Sequence, residues 1–261
     1  MEKGKIILEK SNRVARITIS NPKKLNALSV DMIMRFRDAL WDLNQDDDIS
    51  LVVITGEGDR SFSVGADIES FETLNSVNGY RLMKLGYDVH SQIDRMEKVL
   101  IALVKGYCLA GGCEIALACD LLIASEDASF SLPEVSLGII PGWGGTIRLP
   151  RIIPIRKAKE LIFTGDRISA TEAERIGLVN RVAPKEELEG ILEELIQKLS
   201  KKAPLALSMA KHSINFGLWC SDINAALSVE RGAVSVLFGS KDCQEGVAAF
   251  LEKREARFRG Q

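Results

Sequence analysis

Apolar positions along the chain switch between two periods, and the switches mark out its elements. Residues 5–9 and the alternating stretch 14–20, separated by polar Ser11 and Asn12, predict an opening hairpin. Residues 21–28 read as a loop. Ser29 is then placed as an N-cap, with Met32, Ile33, Phe36, Ala39, Leu40 and Leu43 following at helical spacing. Residues 51–55 and 99–104 are short uninterrupted apolar runs, the pattern of strands covered on both faces. From 72 to 98, charge and apolarity alternate as in a long helix, although Gly79 and Gly86 oppose it. Gly111 and Gly112 open a short helix containing Glu114, Leu117 and Ala118, and strands return at 121–124 and 128–132. Strands alternating with helices predict an α/β protein. After about Pro184 the strands stop. Residues 186–202, 205–216, 222–238 and 243–258 read as amphipathic helices, with Val247, Phe250 and Leu251 of the last placed to pack.

Composition narrows the classes. A chain of 261 residues that is 46% hydrophobic and 27% charged can bury a substantial core. Its net charge of -2 gives no electrostatic reason to expect nucleic acid or an anionic membrane as partner. The first ten residues resemble neither a secretory signal nor a transit peptide, and no run approaches the ~20 apolar residues of a membrane helix. A soluble, cytoplasmic protein is expected. The five cysteines (Cys108, Cys113, Cys119, Cys220 and Cys243) lack zinc-site spacing and read as small hydrophobes in a reducing compartment, with no metal site. His90 and His212 read as surface or helix-face residues.

Two glutamates carry most of the candidate chemistry. Glu114 follows Gly111-Gly112, and Glu134 follows Pro133, ahead of the glycine-rich run 138–145. A glycine just before a helix exposes backbone N–H groups without intrahelical partners, where the helix dipole also favours negative charge. A carbonyl oxygen gathering charge would be held there, beside Glu114. The segment after Ser61, with Gly65 and Ala66, can supply a second donor. Paired carboxylates beside such donors suit chemistry in which an enolate is held while protons move. Gly56-Glu-Gly58 lacks the third glycine of a dinucleotide fingerprint and is not read as one.

Together these segments resemble the enoyl-CoA hydratase/isomerase (crotonase) superfamily over nearly the whole chain. Residues 21–28 resemble the family's CoA-contacting loop, Gly65-Ala66-Asp67-Ile68 its first oxyanion segment and Leu109 to Glu114 its second. Leu132-Pro-Glu134 and residues 138–149 resemble the segment with the second carboxylate. Residues 164–182 and 249–254 are also family-like. The resemblance implies an α/β fold, a crotonase-like spiral of ββα units over residues 1–195 with a helical extension at 196–261, assembled as a homotrimer or a dimer of trimers. It further implies a trans-2-enoyl-CoA substrate, with coenzyme A as part of that substrate and no separate cofactor.

Hydratases of the family carry a carboxylate at both positions, as this chain does. By resemblance the N–H groups of Ala66 and Gly111 would hold the thioester oxygen. Glu114 and Glu134 would orient one water, with Glu114 preferred as base and Glu134 as proton donor. Substrate contacts would come from Lys23, Lys24, Ala27, Val64, Ala66, Asp67, Ile68, Gly111 and Trp143. Phe250 and Lys253 would approach the CoA of an adjacent subunit. Many relatives have lysine where this chain has Glu69, which shifts the CoA contact to Lys23 and Lys24. A Δ3,Δ2-enoyl-CoA isomerase is the nearest alternative, and an RNA-binding relative, which the near-neutral charge disfavours, the remote one.

Overall fold

The computed structural model describes residues 4–71 and 75–261. Strands β1 (Lys5–Ser11) and β2 (Val14–Ser20) form the expected antiparallel hairpin. Its turn is one residue later than expected: Ser11 pairs with Val14, and Asn12 and Arg13 take the positive φ of a tight two-residue turn. Helix α1 (Val30–Asn44) starts at Ser29, whose hydroxyl accepts the Met32 N–H. Its buried Met32, Ile33, Phe36, Leu40 and Leu43 lie on one face.

Three ββα units follow, and their arithmetic positions everything else. β3 (Leu51–Gly56) leads to β4 (Ser61–Ser63) and α2 (Ser76–Arg95). β5 (Val99–Val104) leads to β6 (Tyr107–Leu109) and α3 (Gly111–Ala118). β7 (Leu121–Ser125) leads to β8 (Ser129–Ser131), then α4 (Gly145–Ile152) and α5 (Ile155–Thr164). The first strand of each unit enters a six-stranded sheet ordered β1-β2-β3-β5-β7-β10. The second enters a smaller sheet ordered β4-β6-β8-β9. The units thus stack as a spiral, parallel throughout except at β1 and β9 (Ile168–Ser169). Every residue of β3 and β5 is buried, as continuous apolarity implies.

One side of the large sheet packs on the main core, which includes Phe36, Ile54, Phe62 and Phe130. Its other side carries Val53, Ile101, Leu103 and Ile123, covered by Leu188 and Leu192 of the later helix α7 (Leu188–Ser200). Between α5 and α7 lie β9, α6 (Ala170–Arg175) and β10 (Arg181–Ala183). Helix α7 itself spans Leu188–Ser200, so the expected boundary at 195 falls within it. The chain continues as α8 (Pro204–Trp219), α9 (Ile223–Phe238) and α10 (Lys241–Glu252).

Several expectations are corrected here. Ser61–Ser63, read from the sequence as the opening of a loop that runs to Ile68, is a strand, and the loop begins at Val64. The long helix begins at Ser76, and residues 72–74 of the expected span lie outside those described. The last helix ends at Glu252, where Lys253 takes a left-handed conformation with φ of 56° and turns the chain off the helix axis. Within one chain Val247, Phe250 and Leu251 are exposed instead of packed. Of the two histidines read as surface or helix-face residues, His90 lies on α2 and is buried. Cys108 and Cys113 are buried, and all five cysteines are free thiols. Among the described residues no helix is long and apolar enough to cross a membrane.

Candidate active site

Three loops leave the carboxyl ends of the neighbouring parallel strands β4, β6 and β8, and so open at one place. They carry Val64 to Asp67, Ala110 to Glu114, and Leu132 to Glu134. A cavity of about 450 Å³ lies among them. Lys24, Ala27, Val64, Ala66, Asp67, Ile68, Gly111, Glu114, Glu134 and Trp143, all expected site residues, line it.

Local bonding explains how the loops hold their shape. Buried Asn26 has φ of 58°; its side chain donates to the Glu57 and Ser61 carbonyls and accepts the Asn21 N–H. Asn21 in turn donates to the Ala27 carbonyl at 2.9 Å. These bonds fix the 21–28 loop against the core and bring Lys24 and Ala27 to the cavity. Lys23 lies elsewhere, beside a small hollow formed with Ser20 and Glu57. Lys24 Nζ donates to Asp67 at 2.7 Å and to Glu69 at 2.6 Å, so Glu69, in place of the family lysine, engages the nearby cation.

The two candidate donors come from different constraints. Leu28 donates to the Gly65 carbonyl and accepts the Asp67 N–H. In such a parallel bridge the intervening Ala66 turns its own N–H to the opposite side. Gly111 is the first residue of α3, so its N–H has no intrahelical acceptor. The two segments touch: a Cβ on Gly65 would lie 2.6 Å from the Gly111 nitrogen, and Gly65 has φ of 87°. Ala110 has φ of 49° and ψ of -131°, a strained conformation for a residue with a Cβ, which turns the chain from β6 into α3. Gly112 serves packing, since a Cβ there would meet the Ser63 backbone oxygen at 2.2 Å.

The carboxylates differ in their partners. Glu114 is only 2% exposed, and its Oε1 accepts the N–H groups of Trp143 at 2.8 Å and Gly145 at 2.7 Å. Burial raises its pKa to about 7, helped by repulsion from Glu134 and opposed by those two N–H groups. Glu134, 7% exposed, is also raised to about 7, by burial. Among the described residues its Oε2 has no hydrogen-bond partner. Two carboxyl groups that each titrate near neutrality and line one cavity can take up and deliver a proton in the same turnover.

Sequence reasoning missed part of this site. Met83, Pro133, Leu137, Ile139, Ile140 and Gly142 also line the cavity. The backbone clamp on Glu114 had one visible signal, the glycines around Trp143, which permit the close approach. His90, packed against Trp143 with ring centroids 5.9 Å apart, had none. Its pKa is lowered to about 4 by burial, so it is neutral at physiological pH. Phe250 and Lys253 do not line this chain's own cavity.

Comparison with known proteins places this geometry. Residues 9–261 match the family model described as enoyl-CoA hydratase/isomerase. A short-chain-enoyl-CoA hydratase of Clostridium acetobutylicum is 43% identical over 255 residues, covering 98% of this chain and 97% of the relative. A crotonyl-CoA hydratase of Syntrophomonas wolfei is 44% identical over 253 residues, covering 97% of each. The crystal structure of an enoyl-CoA hydratase from Bacillus anthracis superposes with a TM-score of 0.94 at 35% identity, over 98% of this chain and 99% of that one. On sequence, fold and the order of its site loops, this chain belongs to the enoyl-CoA hydratase/isomerase family.

Proposed function

We propose that this protein is an enoyl-CoA hydratase, which adds water reversibly to a trans-2-enoyl-CoA to give a 3-hydroxyacyl-CoA. The observation that carries this reading is the pair of buried carboxyl groups, both with pKa raised to about 7, on a cavity where two backbone N–H donors converge. The Ala66 and Gly111 N–H groups hold the thioester oxygen and stabilise the enolate that forms as the β-carbon is attacked. The water oxygen bonds to Cβ while its proton passes to Glu114. Glu134 gives its proton to Cα, and exchange with solvent resets the pair. The assignment follows from their partners. Two N–H bonds, from Trp143 and Gly145, favour the ionised form of Glu114, whereas Glu134 has one, from its own backbone N–H, against desolvation that favours its acid form.

Lys24, beside the carboxylates of Asp67 and Glu69, marks the polar end of the cavity, where the CoA portion enters. Coenzyme A comes as part of the substrate, the chain works in the cytoplasm, and it assembles as a homotrimer or a pair of trimers. Incubating the purified protein with crotonyl-CoA and following the conjugated-thioester absorbance tests the reaction. Loss of absorbance with formation of 3-hydroxybutanoyl-CoA is expected. No change, or activity only in moving a double bond from the 3 to the 2 position, would overturn it.

A further inference from the structure

The cavity lining is divided in chemistry, and one large buried side chain stands among its apolar members. Lys24 is joined to Asp67 and Glu69 in one part of the lining, while Met83 against Gly142, buried Trp143 against Gly111, and the exposed Ile139 and Ile140 supply its apolar part. A thioester with its oxygen at Ala66 and Gly111 and its CoA towards Lys24 therefore directs its acyl chain towards the indole. Trp143 is 3% exposed and belongs to the main core.

Two glycines are shaped to this ring. A Cβ on Gly86, in α2, would fall 2.0 Å from Nε1 and Cε2 of the indole. A Cβ on Gly111 would fall 2.5 Å from its Cζ3. The ring thus fills the gap between α2 and the start of α3 from edge to edge, with His90 behind it. Beside it Met83 closes on Gly142, whose missing Cβ would lie 2.6 Å from the Met83 Sδ. Among the described residues the indole Nε1 has no acceptor. A buried N–H without a partner is unfavourable, so the indole contributes bulk here and not a hydrogen bond.

We propose, resting on the hydratase reading above, that Trp143 sets the acyl-chain length: its indole plugs the passage between α2 and α3 and restricts the enzyme to short 2-enoyl thioesters. Gly86 and Gly111 lack side chains because the plug occupies their space. Gly86 interrupts α2 at a cost in helix propensity, and the indole seated on it accounts for its presence.

The test compares wild type, Trp143→Ala and Trp143→Phe on four-carbon and ten-carbon 2-enoyl-CoA substrates. Calorimetric binding of butanoyl-CoA and decanoyl-CoA runs alongside. Wild type is expected to favour the four-carbon substrate in kcat/KM. Trp143→Ala is expected to shift the ratio towards the ten-carbon substrate by at least about tenfold, since each methylene seated in an apolar channel is worth roughly fourfold. Trp143→Phe, which keeps most of the bulk and has no N–H, is expected to retain the short-chain preference. If the alanine variant does not fold, Trp143→Leu supplies the same ratio. Equal use of both lengths by wild type would overturn the proposal, as would a parallel loss on both lengths with the ratio unchanged. Preferential binding of butanoyl-CoA without turnover of any enoyl-CoA would support the gate while overturning the reaction.

Discussion

Glu114 and Glu134 sit in surroundings that make their protonation matter twice, for turnover and for stability. Glu114→Gln and Glu134→Gln are each expected to lower crotonyl-CoA hydration by ~100- to 10,000-fold, the usual worth of a general acid or base. If one group acts ionised and the other protonated, as proposed above, then with both pKa values at about 7 kcat/KM is expected to fall on either side of neutrality. A profile flat from pH 6 to pH 8 would contradict this. The stability consequence has a definite sign. Burial holds the folded Glu114 carboxyl near 7, against an ordinary value of 4.5. The folded state therefore binds more protons than the unfolded chain, so stability falls as pH rises through that window. In Glu114→Gln the amide oxygen can still accept the Trp143 and Gly145 N–H groups, and no charge is buried. The variant is expected to be about 3 kcal/mol more stable than wild type at pH 8, melting several degrees higher, with the gain vanishing near pH 4.5. A lower melting temperature at pH 8 would mean that the two N–H bonds outweigh burial.

At the scale of elements, the long pieces were legible and the short ones were not. β3 and β5 announce themselves as unbroken apolar runs, and α1 by its spacing and its Ser29 cap. β4, β6 and β8 have only three residues each, too few to display alternation. Their pairing comes from the superhelical stacking of distant units, which no local pattern records. Yet these short strands aim the site loops, so local pattern marks the loops while their convergence on one cavity was implied only by the family resemblance. The glycine pair shows the same limit: Gly111 faces the indole and Gly112 packs on Ser63, a distinction invisible in Gly-Gly. Lys211 is a further case. Nothing in the amphipathic stretch 205–216 singles it out, but it is buried and donates to Asp120 at 2.8 Å and to the Ile93 and Lys98 carbonyls at 3.2 and 3.0 Å. It thus pins α8 to the end of α2 and the start of β5. Lys211→Ala is expected to cost about 3–5 kcal/mol, because Asp120 and two carbonyls lose their buried donor. A denaturant midpoint unchanged from wild type would show that water replaces the ammonium.

On the scale of the whole molecule, the C-terminal helices present an unfinished surface. No residue of α9 is buried in the single chain, and its Ile223, Val236 and Phe238 are exposed. α10 adds Val247, Leu251 and Phe250, the last 83% exposed. Apolar faces on this scale mark surfaces that other protein covers. A second copy of the chain would be the occupant that also gives Phe250 and Lys253 the expected place near a substrate, since neither lines the cavity of its own chain. Light scattering at micromolar concentration is expected to give about three or six times the 28.7 kDa chain mass. The double variant Phe250→Asp, Leu251→Asp is expected to shift that mass towards the monomer. Its fold should survive, because both side chains are exposed in the single chain. If Phe250 and Lys253 meet a neighbour's CoA, dissociation should also raise KM for crotonyl-CoA more than it lowers kcat, because Glu114, Glu134 and both oxyanion donors lie within one chain. A wild-type monomer would remove this argument. A persisting oligomer with the double variant would move the interface away from α10, and a loss confined to kcat would mean that assembly shapes the catalytic loops instead of the CoA contact.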